Sequence, residues 1–334
     1  MPDAPGASGE GIPTDCAAVG SGGLWAAGGE MQGEAREVES DALEAVAREI
    51  GAQLGLTCAP GPERAVSGGS VYRSYQWRCE AGPLFVKVAD ASAAGLLEAE
   101  AAGLAELAAA HAVRTPALRA RGVVSARAFL ALEWIEARFT GQDSERRLGE
   151  RLAAQHRVSA GQFGWGRDNT IGRTAQVNGW LPDWAEFFRE RRLRYQLDLA
   201  SRRGFAKLLE RPGARLLEKV GALLEGHRPR PSLLHGDLWG GNWFADAAGE
   251  PVIFDPAVYY GDREADLAMT RLFGGFGRGF YAAYEAAAPL PAGHTVRCEL
   301  YNLYHVLNHA NLFGAGYASQ ARSMIERLLA EAGG

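Results

Sequence analysis

The chain has 334 residues and a net charge of −5, with 47% hydrophobic and 22% charged residues. These values are ordinary for a globular protein, and the length is sufficient for two lobes or domains. The acidic net charge gives no general case for nucleic-acid binding. The sequence contains no run of 18 apolar residues, so no membrane span is expected. The four cysteines are far apart and form no CxxC pair. We therefore expect neither a disulfide framework nor a zinc site, as in a reducing cytoplasm.

Residues 1–33 are rich in Gly, Ala, Pro and Ser and show no hydrophobic periodicity. They predict a disordered tail. Because no charged segment precedes an apolar one, a secretory signal is not expected. Met31 stands just before the first convincing helix and is, like Met1, a candidate start residue. Beyond the tail we predict a nucleotide-binding lobe over 34–136 and a catalytic and substrate-binding lobe over 137–334.

The first predicted lobe is a helix followed by a small antiparallel sheet that carries one further helix. Apolar residues at helical spacing indicate the first helix over 40–54, with Ser40 as its N-cap. The other elements expected here are strands over 65–80 and 83–88, a helix over about 93–110, and strands near 123 and over 128–135.

Beyond Gly141 the chain is predicted to be mostly helical, which makes the fold class α+β. The expected helices are 145–156, 184–199, 215–224, 262–273, 280–287 and 297–313.

One stretch of the second lobe places two acids and an amide at the spacing that phosphoryl transfer requires. Asp237 and Asn242 are five positions apart in HGDLWGGN, as are the aspartate and asparagine of the protein-kinase catalytic loop. Asp255 ends a short apolar run that reads as a buried strand. Because Mg²⁺ prefers hard oxygen ligands, we assign Asn242 and Asp255 as metal ligands and Asp237 as the base. The alternative is a surface turn followed by an unrelated strand-terminal Asp.

Lys87 lies at the centre of a short apolar strand, where a lysine either discourages edge pairing or faces a site. The helix that follows favours a site. Glu100 falls inside the apolar stripe formed by Leu96, Leu104 and Leu107, and a buried carboxylate is costly unless it is paired. We therefore predict a Lys87–Glu100 ion pair that holds the lysine against nucleotide phosphates.

Two further segments are candidates for nucleotide contacts. Gly68 and Gly69, followed by Ser70, precede the lysine strand and would let backbone N–H groups approach phosphates, although most Gly-Gly pairs are ordinary turns. The segment is neither a G-x-G-x-x-G nor a Walker A sequence, which disfavours a P-loop NTPase. Glu133 to Ile135 leaves the sheet between the predicted lobes, where its backbone could bind an adenine edge or simply connect the lobes.

Three groups of aromatic and basic residues have a structural interpretation that we favour. An aromatic cluster could line a sugar pocket, but more often forms a lobe core: Trp180, Trp184, Phe187 and Phe188. A basic run is expected to be a solvated helix face: Arg189, Arg191, Arg192 and Arg194. The third group fits helix packing: Tyr301, Tyr304 and His305.

With these motifs, the chain resembles the fructosamine kinase (ketosamine-3-kinase) family over about residues 40–332. The likeness is carried by LLHGDLWGGN, VIFDPAVYYG, FGWGRDNTIGRTAQVNGWLPDWAEFFRERRLRYQL and LYNLYHVLNHANLFGAGY. It implies a protein-kinase-like, two-lobed fold related to aminoglycoside phosphotransferases. It also implies ATP- and Mg²⁺-dependent phosphorylation of the 3-hydroxyl of ketosamines, the sugar adducts of amines and protein lysines, which then release the amine.

The resemblance implies the same base, metal ligands and ion pair as the chemistry above, and it adds two substrate-side residues. Trp239 resembles the family tryptophan that packs on the sugar, and His309 resembles a residue beside the substrate. Gly236 stands where regulated protein kinases have the Arg that reads activation-loop phosphate, and FDPA replaces DFG. We therefore expect a constitutively competent small-molecule kinase. Ser70 occupies a position where some family members carry Cys, so redox control there is not expected.

Two other functions are open from the sequence: an aminoglycoside- or choline-type kinase, and a nucleotide-binding pseudokinase. The Trp239 motif argues against the first, and the filled catalytic positions argue against the second. The expected partner is a small-molecule ketosamine or a glycated protein lysine, without nucleic acid or membrane, in the cytoplasm.

Overall fold

The computed structural model describes residues 29–66, 72–138 and 141–333, with the backbone alone for 29–38. Most of the predicted tail, as well as Gly68, Gly69 and Ser70, therefore lies outside the described residues. Residues Asp41–Gly334 form one unit, and the predicted lobe boundary at 136/137 stays a prediction.

The first part of the described chain builds a five-stranded sheet with a helix on each face. The helices are α1 (Gly29–Leu54) and α2 (Ala94–Ala109). The strands are β1 (Arg64–Val66), β2 (Arg73–Cys79), β3 (Gly82–Asp90), β4 (Leu118–Val124) and β5 (Arg127–Glu133). They are antiparallel in the order β1-β2-β3-β5-β4.

Alternation along β5 explains why both faces of the sheet are covered. Phe129 joins the core that contains Ile50 of α1, whereas Leu130 joins the core that contains Leu104 of α2, because successive strand side chains point to opposite faces. The first helix is longer than predicted, and Ser40 lies inside it rather than at its cap. Strong helix formers (Glu, Ala, Met, Gln and Arg) precede Ser40 and extend the helix.

Cys58 and Cys79 form a disulfide, so the expectation of no disulfide was wrong. Cys58 lies in the loop after α1 and pairs antiparallel with the last residue of β2, which brings their Cα atoms to 4.0 Å. Spacing along the chain could not reveal this pairing, because the approach depends on how the chain reverses between the two residues. The bridge closes a loop that contains β1 and the segment with the glycine pair.

The rest of the chain is mainly helical, with short two-stranded pairs. Its first elements are α3 (Gln142–Gln155), β6 (Asn169–Ile171), β7 (Thr174–Gln176), α4 (Trp184–Phe187), α5 (Tyr195–Ala200) and α6 (Ala206–Leu223), and π-helical segments at Phe188–Arg194 and Ser201–Phe205 continue this helical stretch. The later elements are β8 (Ser232–Leu234), β9 (Trp243–Ala245), β10 (Pro251–Ile253), β11 (Tyr259–Gly261), α7 (Arg263–Leu272), α8 (Arg278–Ala287), α9 (His294–Phe313) and α10 (Ala315–Glu331).

Helix α10 was not predicted, although its buried residues Ala318, Ala321, Ile325 and Leu328 do follow helical spacing. Small alanines at the first two of these positions weaken the hydrophobic signal. No helix in the described part of the chain is long and apolar enough to cross a membrane.

The core of the helical part confirms the structural interpretation of most aromatic residues. Trp184, Phe187 and Phe188 are buried, whereas Trp180 is 39% exposed. The third group is buried as expected: Tyr301, Tyr304 and His305. The interpretation of the basic run was wrong for Arg192, which is completely buried. This residue lies in the π-helical segment, whose wider turn changes which side chains face the core.

Candidate active site

The loop between β8 and β9 brings Asp237 and Asn242 together. The N–H of Asn242 donates to the carbonyl of Trp239 (3.0 Å), which closes the turn. The side-chain Nδ2 of Asn242 then donates to the carbonyl oxygen of Asp237 (2.8 Å) and to its carboxylate Oδ2 (3.2 Å). The amide thus orients the Asp237 carboxylate, and its own Oδ1 is the atom that can serve as a metal ligand.

Asp255 follows β10 and lies beside this loop because β10 pairs with β9. The preceding residue, Phe254, donates its N–H to the carbonyl of Asn242 (3.1 Å) and accepts a hydrogen bond from His235 Nε2 (2.9 Å). Asp255 itself has a φ of +55°. Residues other than glycine seldom adopt this left-handed conformation.

The two carboxylates influence each other electrostatically. Burial, together with the negative charge of Asp255, raises the pKa of Asp237 to about 7, although the hydrogen bond from Asn242 opposes the shift. A hard divalent cation between these groups would relieve the repulsion and would find the carboxylate and amide oxygens that Mg²⁺ prefers. The donor set therefore fits the metal that the sequence predicts.

Lys87, on β3, meets carboxylates from two other elements. Its Nζ donates to Glu100 Oε1 on α2 (2.7 Å) and forms a second ion pair with Asp255 Oδ1. Tyr72 adds a hydrogen bond through its hydroxyl (3.1 Å) and places its ring 4.3 Å from Nζ. Burial alone would lower the pKa of Lys87, but the carboxylates of Glu100 and Asp255 raise it. The lysine is therefore a fixed, buried cation, only 2% exposed.

Sequence reasoning missed Asp266, which holds the backbone of the Asp237 loop from α7. Its carboxylate accepts the N–H groups of His235 and Gly236, both at 2.8 Å, and a bond from His156 Nε2 at 3.1 Å. Burial opposes ionisation, but the hydrogen bond and charge of His156 lower the pKa of Asp266. The sequence offered no signal like that of Glu100, because the residues three and four positions from Asp266 include Asp262, Arg263 and Thr270 and form no apolar stripe.

Gly236 is required by its surroundings. Its φ is +82°, and a Cβ atom at this position would overlap the carbonyl oxygen of Ala257. Ala257 comes this close because its N–H donates to the carbonyl of His235 (2.8 Å). A glycine therefore stands where regulated protein kinases place Arg because no side chain fits there.

The two predicted substrate-side residues belong to one aromatic cluster. Trp239, 39% exposed, packs edge-on against Phe273 with ring centroids 6.3 Å apart. Phe273 contacts His309 at 4.8 Å. Burial lowers the pKa of His309, and its Nδ1 donates to the carbonyl of His305 (2.8 Å). The neutral imidazole is thus held in one orientation beside the aromatic rings.

The candidate adenine contacts at the end of β5 are partly used within the fold. The N–H of Glu133 donates to the carbonyl of Ala117 (2.8 Å), and its carboxylate accepts a hydrogen bond from Arg114 (2.7 Å). Ile135 follows in an extended segment after the strand. The role of both residues in nucleotide binding stays a prediction.

The chain is similar to known proteins in both sequence and fold. The family model described as fructosamine kinase matches residues 42–331. A probable ketoamine kinase of Synechocystis sp. is 45% identical over 287 residues, which cover 86% of this chain and 96% of that protein. A chloroplastic protein-ribulosamine 3-kinase of Oryza sativa subsp. indica is 39% identical over 268 residues, covering 79% of this chain and 78% of the relative.

Solved structures show the same fold. A candidate fructosamine-3-kinase from Haemophilus somnus 129PT superposes with a TM-score of 0.80 at 28% identity, covering 88% of this chain and 99% of that one. An aminoglycoside phosphotransferase in ternary complex with ADP and hygromycin B has a TM-score of 0.56 at 15% identity, covering 87% of this chain and 99% of that one. The second likeness concerns the fold alone, and together they confirm the predicted α+β, kinase-like fold.

Proposed function

Because the chain belongs to the fructosamine kinase family, we propose that it uses ATP to phosphorylate the 3-hydroxyl of ketosamines. The observation that carries the proposal is the convergence of Lys87, Asp237, Asn242 and Asp255 on one site, although they come from distant parts of the chain. Phosphoryl transfer needs little covalent chemistry from the protein, and positioning with electrostatic stabilisation is sufficient.

Asp237 acts as the base. Burial and the negative charge of Asp255 raise the pKa of Asp237 in the metal-free protein, and a carboxylate with a raised pKa accepts a proton more readily. Asn242 fixes the orientation of this carboxylate, and Asp266 fixes the backbone that carries it. The 3-hydroxyl of the acceptor would therefore meet a base whose direction is already set.

The nucleotide side is built around Lys87. Glu100 keeps the ammonium in place, so that it can exchange its contacts with Asp255 and Tyr72 for phosphate oxygens. Asn242 and Asp255 would hold Mg²⁺, which when bound neutralises the charge of the phosphates. Gly68, Gly69 and Ser70 are proposed to cover the phosphates, and Glu133 and Ile135 to border the adenine.

The exposed face of Trp239, with His309 behind Phe273, offers an aromatic platform for a sugar. One relative is named a protein-ribulosamine 3-kinase, which supports a ketosamine acceptor on a small amine or on a protein lysine. Phosphorylation at the 3-position then leads to release of the amine.

The proposal is tested by measuring ATP consumption with ribulosamine, erythrulosamine and fructosamine adducts, and with aminoglycosides and choline as alternative acceptors. We expect turnover with at least one ketosamine and its loss in Asp237→Asn, with ATP binding retained. Turnover of only the alternative acceptors would contradict the proposal, and so would Mg-ATP binding without turnover of any acceptor, which a pseudokinase predicts.

We also propose that the protein works in the cytoplasm, with lobes at 34–136 and 137–334. The Cys58–Cys79 disulfide bears on this proposal, because glutathione and thioredoxin keep most thiols reduced in the cytoplasm, and the fraction of molecules that carry the bridge in cells tests the compartment. Differential alkylation and mass spectrometry of protein from rapidly quenched cells measures this. A stable disulfide in most molecules would argue for an oxidising compartment.

A further inference from the structure

A hydrogen-bonded network of four buried polar side chains lies next to the site but takes no part in the chemistry above. Asn169, Gln176, Asn178 and Arg192 are each at most 6% exposed. Asn169 and Gln176 come from the β6–β7 pair, Asn178 follows it, and Arg192 comes from the π-helical segment. Burying four such polar groups is unfavourable unless each is hydrogen-bonded, so their arrangement needs an explanation.

At one end of this network, two side chains bind the backbone that follows Asp255. Asn169 Nδ2 donates to the carbonyl of Val258 (2.8 Å), and Gln176 Nε2 donates to the carbonyl of Ala257 (2.9 Å). These carbonyls belong to the second and third residues beyond Asp255. Since His235 holds the carbonyl just before Asp255, the backbone is bound on both sides of that carboxylate.

The orientation of each amide is set by its neighbour. Asn169 Oδ1 accepts hydrogen bonds from Gln176 Nε2 (2.8 Å) and from Asn178 Nδ2 (2.7 Å). Asn178 Oδ1 in turn accepts from Arg192 Nη2 (2.7 Å). Because a guanidinium can only donate, Arg192 requires the oxygen of Asn178, which turns the Asn178 nitrogen toward Asn169 and the Asn169 nitrogen toward Val258.

Arg192 is held as a buried cation by aromatic faces. Within the described ranges, no carboxylate lies at ion-pair distance from its guanidinium. The guanidinium carbon instead lies 4.1 to 5.6 Å from the ring centroids of Phe187, Tyr259 and Tyr304. Such cation–π contacts stabilise a desolvated charge. Nη1 also donates to the carbonyl of Val177 (2.7 Å).

We propose that Asn169, Gln176, Asn178 and Arg192 are positioning residues for Asp255. They act through the backbone: by binding the carbonyls of Ala257 and Val258, they maintain the left-handed conformation of Asp255 (φ +55°). Such a conformation is costly and persists only where the surroundings over-determine it. The proposal rests on the proposed role of Asp255 as a metal ligand. With these contacts, the segment that carries Asp255 is held in one position in the resting enzyme.

The test compares Asn169→Ala with Asn311→Ala. Asn311 is an equally buried amide that bonds Gln196 through its Nδ2 (3.0 Å to the carbonyl, 2.7 Å to Oε1) and does not contact the segment after Asp255. Mn²⁺ binding is measured by electron paramagnetic resonance with a non-hydrolysable ATP analogue, so no turnover is involved. We expect Asn169→Ala to weaken Mn²⁺ binding by about 10- to 100-fold, as for partners of metal ligands, and Asn311→Ala to change it by less than about twofold.

The outcomes separate the inference from the proposed function. If the wild-type protein binds no Mn²⁺ with the nucleotide analogue, the proposed function fails. If the wild type binds and Asn169→Ala binds equally well, the positioning role is overturned. Equal losses in Asn169→Ala and Asn311→Ala, at equal loss of thermal stability, would overturn it too. Should Asn169→Ala not fold, Gln176→Met removes the donor to Ala257 without adding a charge, and carries the same expectation.

Discussion

Replacing Asp237 with asparagine should make the ligand-free protein more stable at alkaline pH while abolishing turnover. The pKa of this carboxyl is raised from 3.8 to about 7, mainly by burial and by the charge of Asp255. A shift of that size corresponds to roughly 4 kcal/mol between the two protonation states. Because the side chain retains some exposure, solvent screens part of the effect, and we expect about 2 kcal/mol.

The sign follows from proton binding. A carboxyl with a raised pKa binds more protons in the folded state than in the unfolded state between pH of about 4 and 7. The stability of the wild-type protein therefore falls as pH rises through this window. Asparagine does not ionise, so Asp237→Asn escapes this loss, and its advantage should be small at pH 4.5 and complete at pH 8.

Urea unfolding of both proteins at pH 4.5 and pH 8, without metal or nucleotide, measures the difference in free energy of unfolding. Asp41→Asn serves as the control, because Asp41 is exposed and its replacement removes one negative charge without changing the site. A variant Asp237→Asn that is no more stable than wild type at pH 8, or whose advantage does not change with pH, would refute the electrostatic reasoning.

Three further outcomes are expected. The value of kcat/KM should fall at acidic pH, because Asp237 must be ionised to accept a proton, and bound Mg²⁺ should move the inflection below the metal-free pKa of about 7; a flat profile from pH 4.5 to 8 would contradict its role. Lys87→Met should lower kcat/KM for ATP by about 100-fold and destabilise the protein by about 3–5 kcal/mol, because the buried Glu100 carboxylate loses its partner. As the control, exposed Lys219→Met should leave steady-state kinetics and urea unfolding unchanged. Trp239→Ala should raise KM for the ketosamine about tenfold and leave KM for ATP unchanged; equal increases in both KM values would argue against an acceptor-side position.

Local chemistry made part of the site predictable. The five-residue spacing of Asp237 and Asn242 lies within one turn, so the contact between them follows from short-range geometry. Glu100 was recognisable as a polar residue in an apolar helical stripe. Because a buried carboxylate needs a cation as partner, it indicated the ion pair with Lys87. For Glu100, the sequence contains a local conflict that only a partner resolves.

Contacts made by long-range packing were not predictable in the same way. Lys87 meets Asp255 across 168 positions of sequence, and no periodicity carries that distance. The disulfide between Cys58 and Cys79 depends on the reversal of the chain between them. Arg192 looked like one of several solvated arginines because its burial depends on a π-helical turn, which leaves no mark on hydrophobic spacing.

Position 236 restricts the evolutionary routes open to this chain. A phosphate-sensing arginine cannot be gained there by a single substitution, because the carbonyl of Ala257 occupies the space and the φ of +82° disfavours any side chain. The backbone after Asp255 would first have to move, and that intermediate would lose the hydrogen bond between Ala257 and His235. Descendants of this chain are therefore expected to acquire regulation elsewhere, through expression, substrate supply or attached domains, rather than by phosphorylation acting at this loop.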